Sequence, residues 1–161
     1  MGTAVLMPDS PRDPHRIAGY LSAMGLFGTS IAAASVLGRR RGRALPEEYS
    51  LRDVALGMAA THKLTRIISK DGVTTPLRAP FTRFEQNAGS AEVDEAPKDG
   101  HLQHAAGELL SCPFCLAPWV AGAYVATLAL SPRVARAWAT TFTIVGGSDW
   151  LQHAYARLRT Q

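Results

Sequence analysis

The chain has 161 residues, a net charge of +4, two cysteines and few aromatics, which is the size of one compact domain. Its apolar residues gather in long runs instead of recurring at amphipathic spacing, and its basic residues collect beside those runs. That distribution points to membrane helices and anionic lipid headgroups, and away from nucleic acid. No internal repeat, Gly-rich phosphate loop, Ser-His-Asp arrangement or pair of catalytic carboxylates can be picked out, so nothing here marks a known enzyme class.

Residues 1–16 are polar and rich in Pro and Asp, and read as a flexible tail. From Ile17 to Leu37 there is no charge. At about 1.5 Å per residue, that run spans a hydrocarbon layer of roughly 30 Å. It is longer than the apolar centre of a signal peptide, and the basic cluster Arg39-Arg40-Arg41-Gly42-Arg43 follows it instead of preceding it. A transmembrane helix over 17–37 is therefore predicted.

Residues 51–70 have too short an uncharged centre to cross a bilayer. On a helical wheel Arg52, Lys63, Arg66 and Lys70 share one face, predicting an amphipathic helix in the membrane interface with its cations towards headgroups. The competing reading of the same pattern is a helix packed on the bundle with a charged edge. Asp71-Gly72 ends it; 71–100 then reads as a proline-punctuated arm followed, from Glu85, by an acidic disordered loop.

Residues 101–161 contain both cysteines and a helical hairpin: Pro113 to Leu130 uncharged, a turn at Ser131-Pro132, and a return from Val134 to Leu158 expected as a third span. Asp149 is either a costly carboxylate at membrane depth or a headgroup-level residue beyond a helix ending near Ser148. In Ser111-Cys112-Pro113-Phe114-Cys115, Pro113 suits the first helical position, which makes Cys112 the N-cap and returns Cys115 one turn later. Three chemistries fit the pair: dithiol redox exchange, zinc held with His101 and His104, or simple helix packing. Zinc is the one cofactor these donors suit; no other is indicated.

With three crossings, thirteen of the 17 Lys and Arg residues fall inside and only Arg12, Arg16, Arg133 and Arg136 outside. The N-terminus is then external, and the C-terminus and cysteine pair are cytoplasmic. The expected fold class is all-α: a multi-pass membrane helical bundle of about three transmembrane helices plus one interfacial amphipathic helix.

Leu64-Thr65-Arg66-Ile67-Ile68, Asp71, Pro76-Leu77-Arg78-Ala79-Pro80-Phe81 and Glu108-Leu109-Leu110-Ser111-Cys112-Pro113-Phe114-Cys115 with Trp119 together resemble the YjcA-like family of small bacterial membrane proteins of unknown function. The resemblance runs from about Leu51 to the C-terminus. It implies an integral protein of the bacterial inner membrane and no activity, and it groups Arg66, Asp71, Arg78, Glu108, Cys112, Cys115 and Trp119 in one motif set. Pairing of Arg66 or Arg78 with Asp71 or Glu108 is our expectation. Functionally, the reading is an accessory or assembly protein that binds a membrane-protein partner or a second copy; the alternative is thiol redox or zinc chemistry.

Overall fold

The computed structural model describes residues 14–43, 46–89 and 91–159, so most of the expected N-terminal tail lies outside the described residues. Six helices and one hairpin follow in order: α1 (Pro14–Arg40), α2 (Leu51–Lys70), a 3-10 turn (Gly72–Thr74), α3 (Thr75–Arg78), β1 (Thr82–Gly89), β2 (Glu92–Pro97), α4 (His101–Ser111), α5 (Pro113–Leu130) and α6 (Pro132–Arg159).

Two helices are long and apolar enough to cross a membrane, Ile17–Arg40 and Pro113–Leu130. The return helix α6, expected as a third span, forms without interruption but does not reach that apolar content. In α1 the hydroxyls of Ser22, Thr29, Ser30 and Ser35 each donate to a carbonyl one turn back. A polar side chain exposed on an apolar helix is thus satisfied without water.

Local sequence explains the other helix ends. Ser50 caps α2, its Oγ accepting from the Asp53 N–H at 3.1 Å and donating to the Asp53 carboxylate at 2.8 Å. Pro113 opens α5 behind the N-cap Cys112.

The core is where α2, α5 and α6 meet: Ala60, Tyr124, Leu128, Ala135 and Ala139 are buried, with Leu56, Trp138 and Phe142 against them. Small residues at the contacts let the backbones come close. At Gly57 even a methyl would meet the Tyr124 ring at 2.7 Å. Tyr124 stacks edge-on against Trp138 and donates to the Asp53 carbonyl at 3.0 Å.

Helix α2 packs on the bundle, the arrangement of the competing reading of its charged stripe. Ion pairs Asp53–Arg136 and Lys63–Asp149 and the Thr143–Leu56 contact tie it lengthwise to α6, while residues from Asp53 to Arg66 share a groove with α5.

One correction concerns α1. Tyr20 reaches Glu108, Phe27 stacks on Trp119, Ile31 meets Gly122 and Gly38 approaches Leu130. Helix α1 therefore runs parallel to α4 and α5, whereas α2 and α6 run the other way. The cluster Arg39–Arg43 lies at the end of the bundle with the Ser131 turn, opposite the cysteines, so the expected sharing of one face fails. Arg39, Arg40, Arg41, Arg43, Arg52, Arg133 and Arg136 gather at that end; Arg66, Lys70, Arg78, Arg83, Lys98, Arg157 and Arg159 gather at the other. These fourteen of the 17 basic residues divide evenly between the two ends, with Arg12, Arg16 and Lys63 left out of the division.

Another correction is the acidic loop, which is ordered. Strands β1 and β2 pair antiparallel from Thr82↔Pro97 to Gly89↔Glu92, with two register shifts, so the fold is mostly helical but not all-α. The tight turn uses positive φ at Gly89 (91°) and Ala91 (68°).

Candidate functional site

An isolated two-stranded hairpin is marginal in water, so this one needs an anchor. Three carboxylates of β2 supply it. Glu92 takes two hydrogen bonds of 2.6 Å from Arg66 Nη2, Asp94 takes one of 3.0 Å from Lys70 Nζ, and Glu95 is held by Arg78 through Nε at 2.9 Å and Nη2 at 3.1 Å. Backbone pairing adds Gly72 N–H to the Ala91 carbonyl at 2.8 Å.

Arg78 is the centre of this latch. Its side chain is fully buried, and beyond Glu95 it donates to the Ile68 carbonyl at 2.6 Å, Thr74 Oγ1 at 2.7 Å and the Asp71 carbonyl at 3.1 Å. One guanidinium thus caps the last carbonyls of α2 and neutralises a buried strand carboxylate. Thr82 completes the Glu95 shell with a 2.7 Å hydrogen bond. Helix α4 closes the other side, with Gly107 against the Phe81 carbonyl and Pro97.

Burial pushes the Glu95 carboxyl up, but hydrogen bonds from Arg78 and Thr82 outweigh it and leave it below its usual range. The Lys70 hydrogen bond, helped by Gln86, holds Asp94 below its usual range as well. Lowered folded-state values mean that the latch contributes its full stability above the ordinary carboxylate pKa of about 4 and loses it as pH falls through the depressed values. The thermal midpoint of the purified protein is expected to be insensitive to these groups from pH 7 to about 5 and to drop towards pH 3. A midpoint that rises on acidification would contradict the latch.

The expected partners are therefore replaced: Arg66 and Arg78 pair with Glu92 and Glu95, not with the carboxylates of Asp71 or Glu108. Asp71 is the C-cap of α2 and offers its carbonyl. Glu108 accepts from Tyr20 Oη at 2.7 Å and has His104 Nε2 3.2 Å from its other oxygen. That His104 contact lacks hydrogen-bond angles, so the nitrogen is buried without a hydrogen-bond partner among the described residues.

Cys112 is the N-cap of α5: its Sγ accepts from the Cys115 N–H at 3.2 Å, and both thiols are free, Cys115 exposed. The side chain of His101 lies outside the described residues. Among those described, no three His, Cys, Asp or Glu side chains converge as a metal would require. Trp119 packs on Phe27 with centroids 5.2 Å apart.

Of the basic stripe, Lys63 and Lys70 turn to carboxylates within the chain, Arg66 shares its guanidinium with Glu92, and Arg52 remains exposed. Asp149 sits mid-helix, 2.7 Å from Lys63, since α6 does not end at Ser148. The Asp53–Arg136 pair, two contacts of 2.8 and 2.9 Å, was also missed. Its signal in the chain is the Ser50-x-x-Asp53 cap; for Glu92, Asp94 and Glu95 it is an acidic run interrupted by Val93 and closed by Asp99-Gly100.

These features define a small, mostly helical protein with two helices apolar enough to cross a membrane and a polar hairpin latched to one end. Residues 56–155 match the family described as "Protein of unknown function (DUF1360)", and the chain belongs to that family. Among curated proteins it is similar to the sporulation protein YjcA of Bacillus subtilis (strain 168), 30% identical over 111 residues, covering 62% of this chain and 93% of that protein. No solved structure matches.

Proposed function

We propose that the chain is an integral, multi-pass protein of the bacterial cytoplasmic membrane that acts as a non-enzymatic accessory or assembly factor, with its hairpin as the platform for a membrane-protein partner. Helices α1 and α5 cross the bilayer, and α2 and α6 lie alongside with Val54, Met58, Ile144 and Val145 towards acyl chains. The reading keeps the C-terminus and cysteines cytoplasmic, where thiols stay reduced, and moves the N-terminus to the same side.

The observation that carries it is the division of labour across the hairpin. The acidic side chains of β2 are engaged inside the chain, while β1 is exposed from Arg83 onward and Phe84 is 60% exposed on it. An exposed, unpaired edge strand is a template for strand addition. A photo-crosslinking residue at position 84 is expected to give one discrete adduct in membranes, heterologous or a dimer of this chain, that Gln86→Pro abolishes. An adduct pattern unaffected by that proline, or equal labelling from position 21 on α1, would contradict the platform.

Thiol redox or zinc chemistry has one observation in its favour, the N-cap position of Cys112 beside a second free thiol. The accessory reading expects slow, similar iodoacetamide labelling of Cys112 and Cys115, and little loss of function in the Cys112→Ser, Cys115→Ser double variant. Rapid alkylation of Cys112 alone, or zinc released together with both thiols by a chelator, would replace it with the thiol reading.

A further inference from the structure

We propose that the groove between α2 and α5 holds an acyl chain of an anionic phospholipid from the surrounding bilayer, with the lipid phosphate at Arg66; this rests on the membrane reading above. The groove has a volume of about 720 Å³ and its apolar walls include Val54, Gly57, Met58, Ala117, Ala121 and Val125. That volume lies within the roughly 300–1,000 Å³ of sites that enclose small ligands. An alkyl chain matches walls made almost wholly of apolar side chains.

Charge gives the lipid its direction. At the end of the groove beside Asp53, the carboxylate is occupied by Arg136 and Ser50, and neither an arginine nor a lysine lines the groove there. At the other end Arg66 lines the groove with Thr65 and His62. Glu92 takes only Nη2 of Arg66, whose side chain is 41% exposed, and Nη1 and Nε have no partner among the described residues. A guanidinium has five donors and serves a carboxylate on one edge and a phosphate on another. Depth agrees: Arg66 lines the groove together with Pro113, the first residue of the candidate span, which in the membrane reading is the level of the headgroups.

The test uses the full chain extracted in mild detergent, exposed to phosphatidylglycerol or phosphatidylcholine of identical acyl chains, with bound lipid counted by native mass spectrometry. One retained phosphatidylglycerol is expected, preferred about tenfold over phosphatidylcholine, whose phosphate reaches Arg66 as well but whose trimethylammonium cancels the net charge and is repelled by the guanidinium. Arg66→Gln should abolish the preference. Glu92→Gln, which also breaks the ion pair but leaves the guanidinium, should keep or raise it. Ala121→Leu, which fills the groove, should lower retention of both lipids. Equal retention of the two lipids by the unaltered protein, preference lost equally in Glu92→Gln, or retention indifferent to Ala121→Leu would overturn the proposal, as would a second copy that dissociates when the groove is filled. A chain that carbonate strips from membranes overturns the membrane reading together with it; a chain that stays in the membrane yet ignores lipid charge overturns the lipid site alone.

Discussion

Replacing Arg78 by alanine is expected to release the hairpin from the bundle. The substitution strands the Glu95 carboxylate, which is 2% exposed, and removes donors from the Ile68 and Asp71 carbonyls and from Thr74. Removing one partner of a buried pair costs about 3–5 kcal/mol, because the remaining charge stays buried and uncompensated. Arg78→Lys keeps the charge but not the two-pronged grip on Glu95, so it should recover only part of the loss. Denaturant unfolding, with protease cleavage mapped across residues 71–100, reads both effects. An Arg78→Ala variant as stable and as resistant as the unaltered chain would remove Arg78 from its central position.

The second large effect is expected at Gly107. A β-carbon there would lie 2.6 Å from the Phe81 carbonyl oxygen and 3.0 Å from Pro97 Cα. Both obstacles are backbone and cannot rotate away, so Gly107→Ala must push α4 off the hairpin at about 1–3 kcal/mol, more than the helix propensity gained. Gly147→Ala is the control: nothing lies within 4 Å of the added carbon. It should be neutral or stabilising by up to about 1 kcal/mol. Equal effects of the two substitutions on the unfolding midpoint would mean that α4 does not seat on the strands.

What could be read from the chain in advance follows the range of the forces involved. Helices α1 and α5 announce themselves because a charge-free run is a local property, and Pro113 reveals the N-cap at Cys112 for the same reason. The hairpin is hidden because its anchors are far away: Glu92 meets Arg66 across 26 positions and Glu95 meets Arg78 across 17. Without those cations the segment is simply acidic and polar, the composition of a disordered loop. The partners of the stripe on α2 are hidden for the complementary reason, since a wheel displays cations but not the carboxylates that meet them. A positive-inside count likewise cannot detect that α1 packs parallel to α5, because Phe27 on Trp119 and Gly38 on Leu130 are contacts between runs of apolar residues.

That parallel packing brings the start of α1 and the end of α6 to the same end of the bundle, and in the membrane reading proposed above it makes the number of traverses even. Compartment-sensitive reporters fused at Met1 and at Gln161, one type active only in the cytoplasm and one only outside it, measure this directly. The account predicts that both termini report the cytoplasm; both reporting the exterior would reverse the orientation but keep the bundle, and termini in opposite compartments would contradict it.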